Sequence, residues 1–317
     1  VLSNRRSISE STRRLVEQAI EELDYRPHAG ARALRGARTR VLALSGPDTS
    51  GPYQASAGMF VHHFAQAGHR YGHDLLLLTG EESIQGLRRV EGSRLADGAV
   101  LMSILTDDPR IELLRQLRFP AALLGKPRDP QGLPWCDFDF EDAAATAVRE
   151  LARAGHRDIA FLASTDAEFR DGLNYAPRTV AGARAAARAG GVRLTVARSS
   201  GSHQTVVKRI CGLLGSDPAP TAIITHYQSP WLLSILREAG YQVPGDISVV
   251  MVANTPDFVS EIPLARLELP VEQMTATAVD LAIGAVEGTV ATTGSNSVHR
   301  LIPVRLTRGR SIAPPRG

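Results

Sequence analysis

The side chains able to do chemistry are few and scattered. Cys136 and Cys211 stand at no metal-ligand spacing, and read as buried thiols of a reducing compartment. His62 and His63 are adjacent, and neighbours on a helix point apart, so no metal site is expected there. Asp137 and Asp139 alternate along an extended stretch and would share one face. Paired carboxylates could do acid–base work. Neither a nucleophile nor a metal set accompanies them, so a solvated or cleft-lining role is the expectation. No G-x-G-x-x-G follows a strand, and there is no Walker A loop, no G-x-S-x-G and no C-x-x-C. An enzyme is not expected, and neither is a cofactor or a metal.

The elements that would position these residues are easier to read. Of 317 residues 43% are hydrophobic, enough for the cores of two ordinary domains. No apolar run approaches the ~18 residues of a membrane span, and the N-terminus does not resemble a signal peptide. A cytoplasmic protein with no membrane partner is expected, and the start at Val1 suggests a fragment. The net charge of +3 is unevenly placed. Residues 1–40 hold nine Arg against five acids, and from Arg26 to Arg40 there are five Arg and no acid. Such an arm before a near-neutral body suits phosphate contact, or simply a solvated linker.

Residues 9–24 read as a helix capped by Ser9, with an apolar stripe of Leu15, Val16, Ala19, Ile20 and Leu23, stopped by Pro27. From Val41 onward, strands and helices alternate. Strand-length apolar runs lie at Val41–Ser45, Leu75–Leu78, Ala99–Met102 and Ala121–Leu124, with helical patterns near 54–70, 83–95 and 110–117. The order then repeats. Strands at Ile159–Ala163, Arg193–Ala197, Ala222–Thr225 and Ile247–Val252 alternate with helices at 178–189, 203–214 and 229–239. A crossover near 137–156 joins the halves, and a helix at 271–287 and a strand near Leu301–Leu306 complete them. The fold class is therefore α/β, with two doubly wound parallel-sheet subdomains. Ligands of such sheets sit at the carboxyl ends of the strands, here the cleft between the halves.

A run of short motifs resembles the lactose/galactose-repressor (LacI/GalR) family across the whole chain. They are Tyr25-Arg26-Pro27, Ala31 to Leu34, and the turn Pro47-Asp48-Thr49-Ser50-Gly51-Pro52-Tyr53. Further on come Ala96-Asp97-Gly98-Ala99-Val100, then Ala154-Gly155-His156-Arg157-Asp158-Ile159-Ala160-Phe161. The last are Arg237-Glu238-Ala239-Gly240 and Val243-Pro244-Gly245-Asp246-Ile247-Ser248-Val249-Val250. The resemblance implies a periplasmic-binding-protein-like type I core with a short N-terminal helical remnant and hinge. Residues 1–26 would be the end of a helix-turn-helix head, and 27–40 a hinge helix and linker. Residues 41–317 would form the effector-binding and dimerisation core. Its N-subdomain would span about 41–137 and 271–294, and its C-subdomain about 138–268 and 298–310.

The function so implied is a bacterial transcriptional regulator of the repressor type, acting as a homodimer on a DNA operator and responding to a small carbohydrate-like effector. In that family paired hinge helices enter the minor groove, where an apolar side chain wedges between base steps. Leu34 holds that position, with His28, Ala31, Arg32 and Arg35 beside it. The implied effector site comprises Asp48, Tyr53, Lys126, Phe138, Arg178, His226, Tyr227 and Asn254. Phe138 is expected to stack on a sugar face. Arg178 falls one residue before the family's gripping position, about 100° away around the helix. Gly125, Ala253 and Leu269 stand where the family often has polar groups. That balance of charge favours a ligand carrying carboxylate or phosphate. The alternative is a periplasmic-type sugar-binding protein with no DNA role.

Overall fold

The computed structural model describes residues 9–22, 38–46, 54–78, 83–199, 202–226, 231–254, 260–291 and 297–316. The turn carrying Asp48 and Tyr53 lies outside them, as do Tyr227 and the hinge residues His28, Ala31, Arg32, Leu34 and Arg35. Helix α1 (Glu10–Glu22) begins after Ser9, whose hydroxyl accepts the Thr12 N–H at 3.2 Å. Every described side chain of α1 is exposed, Leu15 included, so the stripe read from the sequence meets no core among the described residues.

The first sheet contains β1 (Val41–Ser45), β2 (Asp74–Leu78), β3 (Gly98–Leu101), β4 (Ala121–Leu124), β5 (Trp135–Phe138) and β11 (His299–Ile302). Its order is β11-β5-β4-β3-β1-β2, parallel throughout. The second contains β6 (Asp158–Thr165), β7 (Arg193–Ser199), β8 (Ala222–His226), β9 (Ser248–Asn254), β10 (Ala265–Glu268) and β12 (Leu306–Thr307). Its order is β12-β10-β9-β8-β6-β7, and only β12 runs antiparallel.

Most of the parallel strands are joined by helical crossovers, although β4 and β5 are joined by a loop, and the helices cover both faces. Strand alternation assigns the faces. Leu42, Leu44 and Val100 pack with Phe64 of α2 (Gln54–Arg70) and Met274 of α10 (Val271–Glu287). Ala43, Ala99 and Leu101 pack the other way, against Leu87 of α3 (Ser83–Gly92) and Ile111 of α4 (Pro109–Leu117). In the second half Ile159 and Phe161 meet α5 (Phe140–Arg153) and α7 (Tyr175–Ala189) through Val148, Val180 and Ala183. Ala160 and Leu162 meet α8 (His203–Leu214) and α9 (Leu232–Glu238). A short helix, α6 (Asp166–Arg170), follows β6.

The C-terminal stretch departs from the sequence reading. Residues 298–310 were expected wholly in the second half, with one strand near Leu301–Leu306. Instead His299–Ile302 adds an edge strand to the first sheet, and only Leu306–Thr307 joins the second. Pro303 separates them, since proline has no N–H for a ladder. The end of the chain then lies along the second half. Ser311 donates to Val249 O at 2.6 Å, and the Ala313 carbonyl lies 2.9 Å from His156 Nε2 and 3.1 Å from Ser248 Oγ. The chain thus passes between the halves three times, after β5, between β10 and α10, and between β11 and β12.

Candidate functional site

Asp137 sits at the end of β5, where the first half faces the second, and only 2% of it is exposed. Its carboxylate accepts the Lys126 N–H at 3.0 Å, the Phe138 N–H at 2.9 Å, and a hydrogen bond from the Arg178 guanidinium. Burial pushes this acid up to about 6, although Arg178 pulls the other way. Asp139, expected to share its face, does something else. It caps α5, accepting the Asp142 N–H at 3.0 Å.

Arg178 projects from the second turn of α7. Its other arm donates to Glu141 Oε2 at 2.7 Å. Burial alone would lower its pKa, but the two carboxylates outweigh burial and raise it. Glu141 feels the converse. Burial raising it is outweighed by the hydrogen bond and charge of Arg178, so it lies below the ordinary carboxylate range. The rotation of one residue therefore does not take Arg178 out of the cleft, because its long side chain reaches back. It does commit the guanidinium to two internal acids, which removes the ground for expecting it to grip an anionic ligand.

Lys126 is half-buried and its backbone is held from both sides. Its N–H goes to Asp137, and its carbonyl accepts Asn174 Nδ2 at 3.0 Å. The preceding Gly125 explains itself here. Its φ of +138° suits glycine, and a Cβ would lie 2.8 Å from Ile104 and 3.1 Å from the Asn174 amide. Packing between the halves, rather than ligand chemistry alone, accounts for the missing side chain.

Phe138 corrects the sequence reading. It is fully buried, in the layer with Cys136, and meets Phe140 edge-on at 5.1 Å. The alternation of β5 directs it into the helix-covered face, so it offers no free ring for stacking. The partly exposed member of the aromatic cluster is Tyr175, which stacks on Phe140 at 5.4 Å and meets His226 at 5.8 Å. Tyr175 donates to the buried Glu168 at 2.6 Å, and Glu168 closes a capping box with Thr165 at the start of α6.

His226 is buried at the end of β8 and hydrogen-bonds Ser164 through Nδ1. Burial lowers its pKa to about 3, so the ring is neutral. Asn254 ends β9, and its side chain lies outside what is described. Ala253 and Leu269, apolar where polar groups were looked for, are buried. Cys136 is buried as expected, but Cys211 is exposed, on the outer side of α8.

The structure thus brings Lys126, Phe138, Arg178 and His226 to the facing ends of the two sheets. The sequence reading missed Glu141, Ser164, Glu168, Asn174 and Tyr175 beside them. The pair Asn174-Tyr175 at a helix start was the one available signal. Among the described residues no group of three His, Cys, Asp or Glu could hold a metal. No described helix is long and apolar enough to cross a membrane.

Residues 148–312, just over half of the chain, match the periplasmic binding protein-like domain family. Over 263 residues the chain is 26% identical to catabolite control protein A of Priestia megaterium, covering 80% of this chain and 77% of that one. In solved structures it is similar to the lac repressor dimer bound to operator and an anti-inducer, with a TM-score of 0.82 at 21% identity, covering 98% of this chain and 93% of that one. It is also similar to the transcriptional regulator CelR in complex with cellobiose, with a TM-score of 0.72 at 23% identity, covering 96% and 92%. These structural likenesses speak for the fold.

Proposed function

The chain belongs to the periplasmic binding protein-like domain family, and from that premise we propose that it is the effector-binding core of a LacI/GalR-type transcription regulator. The carrying observation is the arrangement itself. Two parallel sheets, crossed three times by the chain, face each other across a cleft lined by charged and aromatic side chains. Such a body suits sensing: a ligand that prefers one relative position of the halves shifts the population toward it. The proposed effector is a sugar or sugar derivative, contacted by Lys126 and Tyr175, with Asp48, Tyr53, Tyr227 and Asn254 around them. The protein acts without catalysis, in the cytoplasm.

The Arg-rich segment 26–40 supplies the link to DNA. Arg32 and Arg35 reach phosphates, Leu34 is the minor-groove wedge, and His28 and Ala31 lie beside it. A homodimer through the first half of the core fits a two-fold operator. Strand β2 lies at that sheet's edge, with Leu75 and Leu76 half-exposed and Leu77 exposed.

Two measurements test the proposal. Thermal shift against a panel of neutral sugars, sugar acids and sugar phosphates should find a carbohydrate that raises the melting temperature, by mass action on the folded state. Fluorescence anisotropy with duplex DNA should show weak, salt-sensitive, non-specific binding by the 317-residue chain, and specific binding once a complete helix-turn-helix precedes α1. Leu34→Ala should then weaken the specific complex without changing the melting temperature. A panel with no stabilising carbohydrate, together with no operator binding by the completed chain, refutes the reading.

A further inference from the structure

Two sets of contacts bridge the cleft, one away from the three crossovers and one beside the first of them. The loop after β3 meets the segment leading into α7. Thr106 donates its N–H to Gly172 O at 2.8 Å and its hydroxyl to the same oxygen at 3.2 Å. Asn174 donates its N–H to Ile104 O at 3.1 Å and its amide to Lys126 O at 3.0 Å. Leu105 and Leu173 form an antiparallel bridge between them. Nearer the crossovers, Arg178 of the second half reaches Asp137 of the first, with side chains 13% and 3% exposed.

Both anchor points are rigid. On the first half, Arg110 is buried and paired with Asp108 at 2.6 Å, and it donates to the carbonyls of Met102 at 3.1 Å and Ser103 at 3.3 Å. Asp108 also accepts the Leu105 N–H at 3.1 Å. On the second half, Leu173 donates its N–H to Glu168 O at 3.0 Å, and Glu168 is fixed by its capping box. A strap seated on two stiff loops is made or broken as a unit, which gives the cleft discrete states rather than a continuous range.

We propose that this chain carries its own latch. The strap of residues 104–106 on 172–174, together with the Arg178–Asp137 bridge, holds the two halves closed when no effector is bound. The resting state is therefore the closed one, and an effector acts by the difference in its affinity for closed and opened clefts. The part given to the effector rests on the proposed function, whereas the latch itself concerns the contacts across the cleft.

Pulsed dipolar spectroscopy on the effector-free, full chain tests it. One spin label goes on the exposed Cys211 of the second half, the other on Arg89→Cys, an exposed position of α3 in the first. Labelled chains are diluted with unlabelled ones to remove distances between copies. The parent should give one narrow distance. Arg178→Met and Asn174→Ala should each lengthen it by more than about 2 Å, the scale of a domain rearrangement. Should Arg178→Met fail to fold, as circular dichroism would show, Asn174→Ala decides. A broad distribution in the parent, or folded variants with the parent's distance, overturns the latch.

Discussion

Gly182 offers the sharpest test of how the cleft is built. It lies in α7, one turn beyond Arg178, and packs against the start of α5, where Glu141 sits. A Cβ at Gly182 would lie 2.0 Å from the Glu141 carbonyl oxygen and 2.7 Å from its carbonyl carbon. Those atoms are backbone and cannot swing aside, so the helices must separate. Helix propensity favours Ala by about 1 kcal/mol. Overpacking costs about 1–3 kcal/mol, and a backbone clash this close belongs at the upper end. The net expectation for Gly182→Ala is a loss of about 2 kcal/mol. For a chain of 317 residues that lowers the melting temperature by about 3 °C. Gly212 is the control. It lies in α8, where an added Cβ would meet nothing within 4 Å, so Gly212→Ala should keep a gain of up to about 1 kcal/mol. Thermal melts followed by circular dichroism report both. The reasoning fails if Gly182→Ala is as stable as the parent, because then no close helix approach positions Glu141 and Arg178.

Three further outcomes follow from the buried charges. Asp137 titrates near 6 in the folded chain against about 4 in the unfolded one, so its contribution is full below about pH 4 and is lost as pH rises through 6. That loss is about 3 kcal/mol. Denaturant unfolding from pH 4 to pH 7.5 should show Asp137→Asn gaining on the parent as pH rises, and parallel curves would refute the assignment. His226 has the opposite sign. Its folded pKa of about 3 makes its contribution full above pH 6.5 and lost as pH falls, so His226→Gln should flatten the acid side of the same profile. Arg110→Met strips the buried Asp108 of its cation and should cost about 3–5 kcal/mol in the same assay, whereas an effect under about 1 kcal/mol would mean that the loop after β3 orders itself.

Most strands and helices were legible because their apolar runs are long enough to show a period. The helices at 54–70, 203–214 and 271–287 were read with the bounds the structure gives. Strand β5 was read only as an extended stretch, since Trp135–Phe138 is four residues long with a carboxylate inside. Strand β10 was missed because Ala265–Glu268 is only four residues long, too short for its apolar–polar alternation to stand out. Helix α5 was passed over as a crossover, although Phe140, Ala144, Ala147 and Leu151 mark its buried stripe. The cleft was less legible than the fold. Arg178 could be placed near it from its position along α7. Its commitment to Asp137 and Glu141 depends on two elements distant in sequence, and no periodicity reports such a pairing. The burial of Phe138 likewise needed the strand direction of β5, which fixes the face a side chain takes.

The threading of the chain through both halves bears on how the molecule comes off the ribosome. Neither half is a continuous stretch of sequence. The first sheet lacks its β11 edge until residue 302 has been made, and the second lacks β12 until residue 307. Strands β5 and β10 must therefore wait, paired on one side only, for partners translated last. Synthesis at about 5–20 residues per second makes that wait long compared with local folding. During it β5 keeps an open edge on the first sheet and β10 on the second, so a nascent chain stalled before residue 299 is exposed to aggregation in both halves at once.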